Sequence, residues 1–129
     1  MSVGRREQAI EAVGALDADL EALHQAQKHF QQAYRGLKRK LERGVPASRA
    51  LAAMDLPGLR DELAREMVRI DQARQRLRTT LICLCLEEGV NINEVARLWG
   101  FSRQLAQRYA KQGTGPVATG NAGDSSLHL

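Results

Sequence analysis

Residues 91–111, NINEVARLWGFSRQLAQRYAK, read as two short helices meeting at one tight turn. Ala96 is small where the two helices must nearly touch. Gly100 follows four residues later, where the turn asks for left-handed backbone that glycine adopts without a side-chain clash. Val95, Leu98, Trp99, Phe101, Leu105 and Tyr109 supply apolar anchors for the faces that meet. Asn91 and Glu94 have the spacing of a capping pair for the first helix, and Ser102 is placed to cap the second. Ser102, Arg103, Gln104, Gln107, Arg108 and Lys111 fall outside the apolar seam.

Upstream, Gly89 marks the end of a helix expected over residues 55–88, with Asp55 as its cap and Pro57 in its first turn. Its apolar stripe is Leu59, Leu63, Met67, Ile70, Leu77, Leu81 and Leu84, with Ala73 and Cys85 filling in. The run LICLCLEEG is apolar on more than one face, so several helices must bury it. No Gly, Pro or Ser interrupts residues 59–88, so this helix is expected to act as a strut that sets the spacing of two copies of the following helix pair.

Residues 5–43 read as one long helix with a heptad seam. Val13, Leu20, Gln27, Tyr34 and Leu41 take one core position, and Leu16, Leu23, Phe30 and Leu37 the other. Ala12, Ala26 and Ala33 flank the seam and let a partner approach closely. Glu7, Glu11, Asp17, Asp19 and Glu21 lie in the first half; Lys28, Arg35, Lys38, Arg39, Lys40 and Arg43 dominate the second. Antiparallel pairing matches acid to base at both ends, and parallel pairing sets like against like. This split does not say whether the partner is a later helix or a second copy. The segment Arg43-Gly44-Val45-Pro46 ends the helix, and a short helix over Ser48–Met54 follows.

The expected class is therefore all-α: a long antiparallel helical hairpin or coiled coil followed by a C-terminal helical pair. Residues 1–54 form the coiled-coil or dimerisation part, and 55–112 the strut and the helical pair. Beyond Gln112 the chain turns to GTGPVATGNAGDSSLHL, too poor in apolar residues to offset the entropy of ordering. A disordered tail over 113–129 is the expectation, with His128 incidental.

Net charge is +4, and its distribution is more informative than its sum. Residues 1–44 carry eight basic and six acidic side chains, and residues 45–88 carry seven of each. The stretch 91–112 holds Arg97, Arg103, Arg108 and Lys111 against Glu94 alone. A small unit of that charge suits a polyanion. Cys83 and Cys85 stand two apart on a helix, point in different directions and read as small apolar residues in a reducing compartment. No stretch is long and apolar enough to span a bilayer, and the N-terminus has no signal-peptide core. A bacterial cytoplasmic, nucleoid-associated location is expected. His24, His29 and His128 have no nucleophile near them in sequence, and no phosphate loop or metal cluster is present, so no enzyme, cofactor or metal is expected. His24 and His29 read as solvent-facing.

Residues of about 74–112, under a third of the chain, resemble helix-turn-helix DNA-binding proteins of the three-helix kind. Bacterial repressors, resolvase-type recombinase tails and sigma-factor C-terminal domains are of this kind. Val95, Ala96, Trp99, Gly100, Phe101 and Tyr109 carry the resemblance. At Ala106 the sequence departs, since such families use a larger branched aliphatic there; Leu105 is placed to compensate. The resemblance implies a recognition helix from Ser102 to about Lys111, lying in the major groove of double-stranded DNA. Ser102, Arg103, Gln104 and Gln107 would then read base edges, Arg103 suiting guanine and Gln104 or Gln107 adenine. Arg108 and Lys111 would hold phosphates, together with Asn91, Asn93 and the N–H groups at the start of the preceding helix. Trp99, Phe101 and Tyr109 belong to the core in this reading rather than to a base-stacking platform. The function implied is a dimeric, sequence-specific transcription regulator. The alternatives are a protein–protein adaptor or sigma-like module, partnered through the coiled coil or the helical pair, and a low-specificity nucleoid or plasmid-maintenance DNA binder.

Overall fold

The computed structural model describes residues 4–114. Among these residues the structure is all-α, with five helices: α1 (Arg5–Glu42), α2 (Ala47–Ala52), α3 (Leu56–Glu87), α4 (Ile92–Trp99) and α5 (Arg103–Thr114). None of the described helices is long and apolar enough to cross a membrane. The expected tail from residue 115 on, His128 included, lies outside the described residues. Its expected start needs correction, because Gly113 and Thr114 still belong to the last turn of α5.

Helix ends follow local chemistry. At the end of α1, Gly44 N–H donates to Leu41 O and Val45 N–H to Lys40 O, both at 3.0 Å. At the end of α3, Gly89 N–H donates to Leu86 O and Val90 N–H to Cys85 O, at 3.1 and 3.0 Å. Both are Schellman closures, which satisfy carbonyls that the helix itself leaves open. Before α3, Asp55 Oδ1 accepts from Gly58 N–H at 3.4 Å, with Asp55 in left-handed backbone at φ 50°. A side chain at Gly58 would strike the Asp55 carboxylate, so the small residue is what lets that carboxylate fold over the helix start.

The chain forms two compact units. One is Asp17–Ile70; the described residues on either side of that span make the other. The sequence division at residue 54 follows chain order, whereas this division runs through both long helices.

Within Asp17–Ile70, the second half of α1 turns back through α2 into the first half of α3. Ala26, Ala50, Met54 and Ile70 are buried. Leu23, Phe30, Ala33 and Leu37 are half-buried beside them. His29 is exposed yet lies with Nδ1 3.0 Å from Glu62 Oε1. Of the two expected seam rows, only the one containing Leu23, Phe30 and Leu37 turns inward. Leu20, Tyr34 and Leu41 of the other row are exposed at 46%, 42% and 47%, and Gln27 is exposed too. The reason is the alanines. Ala26 and Ala33 lie on the side of the inward row away from Leu20 and Tyr34, and small residues are where helices come closest. Met67, expected in the α3 stripe, is likewise half exposed.

The other unit packs the first turns of α1, the second half of α3, α4 and α5. Its centre is Ile82, Val95 and Tyr109, with Cys85, Leu86, Val90, Trp99, Phe101, Leu105 and Ala110 around them. Ala9 and Ala12 of α1, Ala73 and Cys83 of α3, Ala96 and Ala106 are also buried. Burying a Val or Ile side chain contributes about 1.5–3 kcal/mol, which is about what ordering such a residue costs. Val13 of the expected seam is exposed here, and Leu16 is half-buried. Ile82 and Cys83, rather than the stripe leucines Leu81 and Leu84, hold the deepest α3 positions.

Candidate nucleic-acid interface

α4 begins at Asn91, whose side-chain oxygen accepts the Glu94 N–H at 2.9 Å. That is one half of the expected capping box. Glu94 does not complete the other half with its carboxylate. Instead Arg97 Nε donates to Glu94 Oε2 at 2.9 Å, and Arg97 Nη2 donates to Glu94 Oε1. The guanidinium holds the Glu94 carboxyl below its usual range, and the carboxylate raises Arg97 in turn. Arg97 is thus matched by the one acid of the segment.

The bend itself is a third Schellman closure. Gly100 adopts φ 71°, ψ 30°, left-handed backbone. Phe101 N–H donates to Ala96 O at 2.8 Å and Gly100 N–H to Arg97 O at 3.2 Å. Any other L-residue there would press its Cβ on the following carbonyl. Ser102 then caps α5, its hydroxyl oxygen accepting the Leu105 N–H at 3.1 Å.

α5 is two-faced. Leu105, Ala106, Tyr109, Ala110 and Gly113 are buried or half-buried, with Ala106 at 0% exposure. Arg103, Gln104, Gln107, Arg108 and Lys111 are exposed. At about 100° per residue the two sets occupy opposite halves of the helix. Arg103–Thr114 contains no acidic residue. Ala106 is fully buried, and Leu105 packs against the Ile82–Val95–Tyr109 centre.

The eight sequence-predicted residues all lie on the surface of this unit. Ser102, Arg103, Gln104 and Gln107 share the start and outer face of α5 with Arg108 and Lys111. Asn91 and Asn93 sit at the start of α4, where the Asn91 side-chain oxygen is already engaged as a cap. Trp99, Phe101 and Tyr109 form a ring series: Trp99 to Phe101 stacked at 5.9 Å, Phe101 to Tyr109 tilted at 5.3 Å. Leu98 needs correction. It is 59% exposed, because Val95, Ala96 and Trp99 define the inward face of α4 and Leu98 falls off it.

Sequence reasoning missed three supports of this unit. Arg78 is buried, its guanidinium carbon 3.8 Å from the centre of the Tyr109 ring. Burial chiefly lowers its pKa, with nearby Arg74 adding to that and Tyr109 partly opposing it. The signal was its place one helical turn before Ile82 on the same face. Gly113 lies against α3, where a side chain would strike the Cys83 sulfur and come within 2.8 Å of Thr79 Cγ2. Cys83 is buried and donates weakly to Ala110 O at 3.6 Å; burial chiefly raises its pKa. Arg5 Nε donates to Glu87 Oε2 at 2.8 Å, and Arg6 pairs with Glu88, which fastens the start of α1 to the end of α3. No short-range pattern announces the Gly113 or Arg5 contacts.

No family model, no curated protein and no solved structure matched this chain.

Proposed function

We propose that this chain is a sequence-specific DNA-binding protein that reads double-stranded DNA with α5, and that it acts as a dimeric regulator of transcription in a bacterial cytoplasm. One observation carries the reading: α5 leaves a left-handed glycine turn with one face buried and the other exposed, polar, cationic and without an acid. A helix of this kind fits the major groove, about 12 Å wide. In it, Arg103 donates both guanidinium N–H arms to guanine, Gln104 or Gln107 pairs with adenine, and the Ser102 hydroxyl proton reaches a neighbouring base. Arg108 and Lys111 hold phosphates further along, and Asn93 with the opening N–H groups of α4 holds one beside the bend.

A second reading has α4 and α5 dock on a protein, with exposed Leu98 in the contact and the chain an adaptor or sigma-like module. Selection of bound duplexes from a random pool by the full chain separates the two. A recovered consensus that persists under excess random DNA supports the first reading. Binding without a consensus marks a low-specificity architectural binder. No retention of DNA at low salt overturns the DNA reading in favour of the adaptor.

A further inference from the structure

The outward row of α1 is symmetric in chemistry about its own middle. In sequence, Leu20 and Tyr34 are equidistant from Gln27, as are Val13 and Leu41. Within Asp17–Ile70, Leu20, Gln27, Tyr34 and Leu41 are all exposed, though Leu20, Tyr34 and Leu41 are large apolar side chains. Phe30 holds the Tyr34 ring in place, with centroids 4.9 Å apart. The flanks reverse sign about the same point. Asp17 and Glu21 lie on one side of Gln27, Arg35 and Lys38 on the other, with Lys28 beside Gln27 itself near the centre, all exposed.

We propose that this face of α1 is the homodimer interface, occupied by α1 of a second copy running antiparallel, with the two-fold axis at Gln27. Leu20 of each copy packs on Tyr34 of the other. The two Gln27 amides face each other and can exchange N–H···O bonds across the axis, so the one polar layer fixes register as well as symmetry. Asp17 then lies opposite Lys38, and Glu21 opposite Arg35, each within about 1.5–3 Å of the same level along the helices. A parallel pair would set Asp17 on Asp17 and Lys38 on Lys38, which like-charge repulsion disfavours. Even spacing of the apolar row would suit any helical partner, but flanking charges that reverse sign about Gln27 make the face complementary to itself, which is what an isologous contact with a second copy asks for. This inference goes beyond the DNA reading and needs no DNA for its test.

The test is the oligomeric state of the full chain by sedimentation equilibrium, with helix content followed by circular dichroism. The wild-type chain is expected to be a dimer. Leu20→Glu is expected to give a folded monomer. Asp17→Lys with Glu21→Lys should raise the dimer dissociation constant at least about tenfold, and adding Arg35→Glu with Lys38→Glu should restore it. A wild-type chain that stays monomeric at high concentration overturns the proposal and leaves the face to another protein. So does a dimer that survives Leu20→Glu, or one whose strength ignores the charge reversal.

Discussion

The Arg78 guanidinium lies over the Tyr109 ring with its central carbon 3.8 Å from the ring centre, and both residues are buried. A cation inside a small helical unit is costly unless something offsets its lost hydration. The ring face supplies part of that compensation. Arg78 Nε and Tyr109 Oη are both buried without a hydrogen-bond partner, so the pair meets through the ring and not through the hydroxyl.

Tyr109→Phe should therefore change unfolding free energy by less than about 1 kcal/mol, since the hydroxyl makes no bond to lose. Tyr109→Ala should cost about 3–5 kcal/mol by emptying the core. Urea unfolding of both variants checks this, and a large loss in Tyr109→Phe would contradict the geometry.

Gly100→Ala should destabilise the chain by about 1–2 kcal/mol, the cost of left-handed backbone for an L-residue. Gly100→Asn should lose less, because asparagine tolerates that region better. Thermal unfolding of the two variants gives the order.

Gly113→Ala pushes a methyl group into Cys83 and Thr79. The expected loss is about 1–3 kcal/mol from overpacking. Adding Cys83→Ala should recover part of it, so the double variant is more stable than the sum of the two single losses implies. The same packing makes Cys83 the slow thiol: a disulfide reagent should modify Cys85 first in the native chain.

Glu94 titrates below its unfolded value because Arg97 hydrogen-bonds its carboxylate. A depressed folded pKa contributes stability that is complete above the unfolded value, near about 4.3, and is lost as pH falls through the folded value. Both side chains reach solvent, so the effect is small. The thermal midpoints of wild type and Glu94→Gln should differ at about pH 6 and converge by about pH 2.

If α5 reads DNA, Arg103→Ala should relax base choice at one position by about 1–3 kcal/mol. Lys111→Ala should weaken all sequences alike and lower the salt slope by about 1. Salt titrations on a selected site and its single-base variants distinguish the two. Unchanged affinity in both variants would remove α5 from the interface.

The sequence by itself determined the helices and most of their ends, though not the bounds of α2, expected over Ser48–Met54 and found at Ala47–Ala52, nor the last turn of α5. Asn91, Ser102, Gly89 and Gly100 act through bonds spanning no more than five residues, and such bonds do not wait on the rest of the chain. The exposed polar face of α5 was legible for the same reason: one amphipathic helix carries its own period. Only the tertiary structure decided which of the two apolar rows of α1 turns inward. Leu20 and Leu23 are equally hydrophobic, and the choice falls to Ala26 and Ala33, where close approach rewards the smaller side chain. It likewise decided the burial of Arg78, the fit of Gly113 against Cys83, and the fastening of Arg5 to Glu87. Those contacts join residues tens of positions apart, and the energy that selects them exists only once both partners are in place.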